Sequence, residues 1–175
     1  HICCVNSMAL GEIDIDPSTE GFQIEGGEPT GRLMEDARIP LRQEIKPTQK
    51  DFEDGILAAS ETAFQKGITA VNEAGIDDCQ FRAYQRLNKD VRLKVRTTLY
   101  FDHELLEPMA DLGMQTGMGD KRLKVGGVKF LADGSIGART AWMSEEYLDD
   151  DGNKGQSIWD TETLQKKINY AHNNN

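Results

Sequence analysis

Apolar residues recur at helical spacing between Phe52 and Phe64, with Ile56, Ala59 and Ala63 on the same face. Thr48 followed three residues later by Asp51 supplies a capping box, with Asp in place of the usual Glu, and Gly67 marks the end. Beyond Gly67 the period switches back and forth. Ile68–Asn72 is a short β-branched run that predicts a strand, and Asp77–Lys89 repeats Phe81, Tyr84 and Leu87 at helical spacing. Arg92–Phe101, rich in Val, Thr and Tyr with period two, predicts a second strand. His103–Met118 reads as a helix broken near Pro108, Lys124–Ala132 as a third strand, and Thr161–Asn173 as a final helix. Strands alternating with helices predict an α/β fold with a parallel sheet.

The first 47 residues have a different texture. Gly11, Gly21, Gly26, Gly27 and Gly31, with Pro17, Pro29, Pro40 and Pro47, interrupt any long helix. They predict an irregular excursion of loops and short strands, with one helical turn near Leu33–Arg38. The domain expectation is therefore an irregular segment over 1–47 followed by an α/β segment over 48–175.

A chain of 175 residues can bury one sizeable core. A net charge of −10 weighs against nucleic-acid partners and anionic membranes, both of which need basic patches. No apolar run is long enough to span a bilayer. The three cysteines, Cys3, Cys4 and Cys79, lack C-x-x-C spacing, so reduced thiols in a cytoplasmic protein are expected. The chain opens on His1 and carries no initiator Met, which suggests that the native start lies upstream.

Candidate chemistry concentrates in Gly127–Ala141, GVKFLADGSIGARTA. Lys129 sits inside an otherwise apolar strand, where an ammonium is rarely buried without a partner. It is paired with an acid, reaches the strand end, or is chemically altered, for example by carboxylation to an anionic ligand. Alternation places Val125, Gly127, Lys129, Leu131 and Asp133 on one face. Asp133-Gly134-Ser135-Ile136-Gly137 is either a substrate-facing loop or a tight turn. Arg139 is able to clamp a substrate carboxylate or to pin its loop by pairing with Asp133 or Glu145, the second being the expected role. Asn72 and Glu73, at the end of a strand, are candidates for lining a pocket. His103 and His172 read as capping or surface residues, and Asp149-Asp150-Asp151 as a solvated turn without calcium-loop spacing.

Four segments, in order, resemble the YtcJ-like branch of the amidohydrolase superfamily. They are HICCVNSMAL (His1–Leu10), GGEPTGRLMEDA (Gly26–Ala37), GITAVNEAG (Gly67–Gly75) and the block after Val128. In the third, Asn72 and Glu73 replace the His and Asp usual in the family. The resemblance implies a partial (β/α)8 TIM-barrel segment, about strands two to four, from a chain roughly three times as long. It implies metal-dependent hydrolysis of C–N bonds in a small-molecule amide or cyclic amide, with one or two divalent ions, zinc expected. Lys129, on the fourth strand, would be the carboxylated metal-bridging residue, with His1, Asp133 and Arg139 near the substrate. The paired histidines, the remaining ligands and the catalytic aspartate would lie outside these residues, leaving the segment inactive and prone to self-association through open strand edges. The competing reading is a non-catalytic α/β binding or interaction module, folded alone or as a homo-oligomer.

Overall fold

A computed structural model describes residues 2–174, apart from the side chain of Asp36. The chain divides into two compact units. One comprises residues up to Lys46 together with Asp133–Ile158; the other comprises Pro47–Ala132 together with Trp159 onward.

In the first unit, the Gly- and Pro-rich stretch is more ordered than its composition predicts. Strands β1 (Ile2–Cys4), β2 (Phe22–Glu25) and β3 (Glu28–Met34) form an antiparallel sheet in the order β1-β3-β2. Helix α1 (Ser7–Glu12) follows β1, its first turn capped by Asn6, whose Oδ1 accepts from Ala9 N at 2.9 Å. A 3-10 turn at Glu35–Arg38 occupies the expected helical turn and leads into α2 (Ile39–Glu44), with Pro40 in its first turn. Leu33, Ala37 and Ile13 form a small buried core, backed by Val5, Leu10, Phe22 and Leu41.

The second unit is α/β, with strands β4 (Ala70–Ile76), β5 (Arg96–Asp102) and β6 (Leu123–Lys129) parallel in that order. Helix α3 (Gln49–Gln65) opens on the full capping box: Asp51 N donates to Thr48 Oγ1 while Thr48 N donates to Asp51 Oδ2. It closes in a Schellman motif at Gly67 (φ 75°), where Gly67 N donates to Phe64 O and Ile68 N to Ala63 O. That closure uses Ile68 and delays β4 to Ala70, later than the sequence predicts. Helix α4 (Asp78–Lys89) carries a second capping box, Asp77 with Gln80. Helix α5 (Leu106–Asp111) is far shorter than the predicted His103–Met118. Pro108 lies in its first turn, where no backbone N–H is required, and the helix ends at Leu112 and Gly113 (φ 66°). Residues 114–118 instead run alongside β6, with Gly117 N donating to Val125 O. Helix α6 (Thr161–Asn173) matches its prediction and is capped by Asp160.

One face of the parallel sheet carries the core. Ile76, Leu99, Phe101, Leu123 and Val125 pack with Tyr84 and Leu87 of α4 and Met109 of α5, and the Phe81 ring meets Phe101 edge-on at 4.9 Å. Among the described residues, no helix is long and apolar enough to cross a membrane.

Candidate functional site

The position of Lys129 follows from two β-bulges. On β4, Ala74 opposes Tyr100 and Ile76 opposes Phe101, leaving Gly75 (φ 84°) as the extra residue. On β6, Val125 opposes Leu99 and Gly127 (φ 138°) opposes Tyr100, leaving Gly126 extra. Each bulge resets the alternation by one residue. Val128 therefore opposes Phe101 and joins Leu123 and Val125 on the helix-packed face, while Lys129 opposes Asp102 on the other. The sequence expectation that Val125 shares a face with Lys129 is wrong for this reason. A strict period of two would have driven the ammonium into the apolar core.

The face opposite the core carries Asn72, Ala74, Thr98, Tyr100, Asp102, Gly127 and Lys129. It is built from small and polar residues. The bulge at Gly126 requires glycine, since a Cβ there would lie 2.6 Å from Thr98 Cγ2 and 2.8 Å from Tyr100 Cζ. Lys129 is the last residue of β6 and half-buried. Its stem crosses the end of β5, so that a Cβ on Gly75 would sit 3.6 Å from Lys129 Cδ. Among the described residues its ammonium has no hydrogen-bond or ion-pair partner. No group of three or more His, Cys, Asp or Glu side chains comes together among them as a metal cage. The described residues thus do not by themselves assemble a complete metal centre.

Beside Lys129 in register, Asp102 Oδ1 accepts from Glu104 N at 3.1 Å and lies 3.0 Å from His103 Nδ1. Asp102, and not His103, caps the turn after β5. The His103 ring packs edge-on against Trp159 at 5.0 Å, and Trp159 Nε1 donates to Leu131 O at 2.7 Å. Packing of His103 on Trp159 joins residues 56 positions apart, which local pattern does not reveal.

Glu73 does not line the open face. It opposes Leu99 on the core side, where Tyr84 Oη donates to its Oε2 at 3.1 Å. Burial, and next the Glu73 carboxylate, hold the Tyr84 phenol well above its ordinary value. An unfolded tyrosine ionises near pH 10 while the folded one keeps its proton, so stability should fall as pH rises beyond about 10. Tyr84→Phe is expected to cost about 1 kcal/mol at neutral pH and to flatten that alkaline decline. Urea midpoints from about pH 8 to about pH 11 check both; an unchanged alkaline slope would assign it elsewhere.

The other sequence candidates fall in the first unit. Asp133 Oδ2 accepts from Trp142 N at 2.9 Å, and Asp133 forms an antiparallel bridge with Ser157. Arg139, in the left-handed region (φ 57°), donates through Nε to Asp149 Oδ1 at 3.0 Å and through Nη2 to Asp149 Oδ2. Its partner is neither Asp133 nor Glu145, and the acidic run is not merely solvated: Asp149 takes the guanidinium fork, and Asp150 Oδ2 accepts from Asn153. The fork holds the Asp149 carboxyl below its usual value. Arg139→Lys keeps the charge and loses the fork, so limited proteolysis should cut residues 139–149 faster. Wild-type cleavage rates would show that the pair does not restrain the loop. His1 lies outside the described residues.

A family model described as the amidohydrolase family matches residues 1–175. The chain belongs to the amidohydrolase family. Its relatives include the protein LONG AFTER FAR-RED 3 of Arabidopsis thaliana, 29% identical over 94% of this chain and 31% of its own length. YtcJ of Bacillus subtilis (strain 168), whose name assigns it provisionally to the amidohydrolases, is 29% identical over 98% of this chain and 34% of its own. Two crystal structures share the fold: uncharacterised metal-dependent hydrolases from Pyrococcus horikoshii OT3 (TM-score 0.80, 27% identity, 99% of this chain and 35% of that one) and Pyrococcus furiosus (TM-score 0.78, 28% identity, 99% and 36%). This amidohydrolase chain therefore spans about a third of the length of the relatives it matches.

Proposed function

We propose that the chain is part of a metal-dependent amidohydrolase cleaving C–N bonds in a small amide or cyclic amide, and that Lys129 is its contribution to the metal centre. The carrying observation is a half-buried lysine with no acid partner among the described residues, laid across the open face at the C-terminal end of a parallel strand. That end is where (β/α)8 barrels place their chemistry. The parallel order β4-β5-β6, with helices on one face and small or polar residues on the other, supports reading the unit as a partial barrel. The likeness to two metal-dependent hydrolases from Pyrococcus supports the metal.

In this reading Lys129 Nζ gives up one proton to solvent and its lone pair adds to carbon dioxide, forming an N–C bond as one C=O π bond breaks. A second N–H proton then leaves to solvent, and the resulting carbamate, with one negative charge shared over two oxygens, would offer both oxygens as ligands. When bound there, one or two divalent ions, zinc being the expected metal, supply a polarised substrate carbonyl and an acidified water. Gly75 leaves room for the longer side chain, and Nζ has no hydrogen-bond or ion-pair partner among the described residues to hold it. The remaining ligands and the proton-transferring group would come from other parts of a longer chain. Three free thiols fit a reducing, cytoplasmic setting.

The test is metal analysis of the complete protein combined with hydrolysis of reporter amides before and after chelation. Bound divalent metal, activity lost on chelation and activity restored by zinc are expected. Metal-free protein that folds cooperatively and cleaves no amide would favour the non-catalytic interaction module instead.

A further inference from the structure

The first unit carries an open cleft of about 760 Å³, bordered by Glu20, Arg32, Glu35, Arg139, Gln156 and Ser157 among others. This lies within the size range of small-molecule sites. Among the described residues, two of the three non-glycine residues with positive φ border it, Glu35 (42°) and Arg139 (57°). Such strain persists only where surrounding structure over-determines it, and it gathers at ligand sites. Thr140 ties the two regions together: its Oγ1 donates to Glu35 Oε1 at 3.0 Å and accepts from Ser135 N at 3.0 Å. Gly155 completes the wall, because a Cβ there would lie 2.0 Å from Ala141 O.

The cations bordering this cleft are not equivalent. Arg139 is occupied by Asp149. Arg32, on β3, is half-buried, and among the described residues its guanidinium has no hydrogen-bond or ion-pair partner. A partly desolvated guanidinium with five donors favours a planar anion that accepts two of them at once. A carboxylate has that geometry. Glu20, Glu35 and Asp150 present acids on the same border and Gln156 a neutral amide, so the rest of the ligand should carry hydrogen-bond donors and no second negative charge.

We propose that this cleft binds a small carboxylate-bearing molecule, with Arg32 as the residue that takes the carboxylate. The sequence left Arg139 able to clamp a carboxylate but favoured a loop-pinning role; the Arg139–Asp149 pair occupies its guanidinium, and Arg32 is left for the carboxylate. The inference needs no turnover and does not depend on the hydrolase reading.

Isothermal titration of the complete protein with N-acetylglycine, succinate and benzoate, each beside its neutral amide, tests it. At least one carboxylate should bind about tenfold or more tighter than its amide. Arg32→Gln should abolish that preference, and Arg32→Lys should keep only part of it, since the fork is lost. Far-UV circular dichroism confirms that both variants remain folded, and Arg42→Gln, which removes an exposed guanidinium outside the cleft border, should retain the preference. A preferred carboxylate that competes with reporter-amide hydrolysis belongs to the substrate; one that binds without competing is a separate ligand, and both outcomes support the site. Equal binding of carboxylates and amides, no binding by any carboxylate, or a preference that survives Arg32→Gln would overturn it.

Discussion

Replacing Lys129 with Ala should remove at least one equivalent of divalent metal from the complete protein and lower amide hydrolysis by more than a hundredfold. Mutations beyond the ligands themselves typically cost about 10–100-fold, and a direct ligand should exceed that. The fold should survive, because Lys129 lies on the face away from the core. Short-chain carboxylic acids added to Lys129→Ala should restore part of both metal and activity, by supplying oxygens where the carbamate stood. Arginine makes a sharper comparison: Lys129→Arg retains length and charge but cannot add carbon dioxide, and should behave like Lys129→Ala. Wild-type metal content in Lys129→Ala would leave Lys129 as an ordinary lysine at the strand end.

Replacing Gly126 with Val should have a larger effect on folding than any substitution on the open face. A Cβ there would lie 2.6 Å from Thr98 Cγ2 and 2.8 Å from Tyr100 Cζ, so the bulge cannot hold the new side chain without a shift. If β6 loses the bulge with every residue kept, alternation runs unbroken from Leu123 and Lys129 falls where Val128 stands, opposite Phe101 and against the helix layer. An unpaired ammonium there costs several kcal/mol, and moving Val128 out of the core forfeits about 1.5 kcal/mol or more. Against a total stability of about 5–15 kcal/mol for a typical domain, the second unit should be largely unfolded. Soluble yield and near-UV circular dichroism measure this. Wild-type spectra and melting would mean that the sheet absorbs the added side chain without exchanging faces.

These two results bear on what local pattern can and cannot convey. Capping chemistry was legible: Thr48 with Asp51 opens α3 as expected, because both partners of the box lie within one turn. The inward set of β5, Leu99 and Phe101, follows plain alternation, because that strand contributes no extra residue to either bulge. The face of Lys129 was not legible. A bulge adds one residue without changing composition, and the adjacent Gly126 and Gly127 were its only trace. Pairing of β1 with β3 joins residues about thirty positions apart, which no local periodicity encodes. Thr140 and Glu35 meet across 105 residues, so a reading by consecutive segments could not group 133–158 with the opening strands. The acids near Arg139 were visible, but the choice of Asp149 over Asp133 depends on Asp133 already being held by Trp142 N.

The proposed role of Lys129, whose amine has no partner among the described residues, is to carry carbon dioxide as a carbamate in the complete protein. The direct measurement is 13C NMR of the complete, metal-loaded protein equilibrated with 13C-labelled bicarbonate, beside Lys129→Ala prepared identically. One labelled carbamate per chain, lost in Lys129→Ala and released when metal is chelated, is the predicted result. A fully metal-loaded wild-type protein with no labelled carbamate would contradict it.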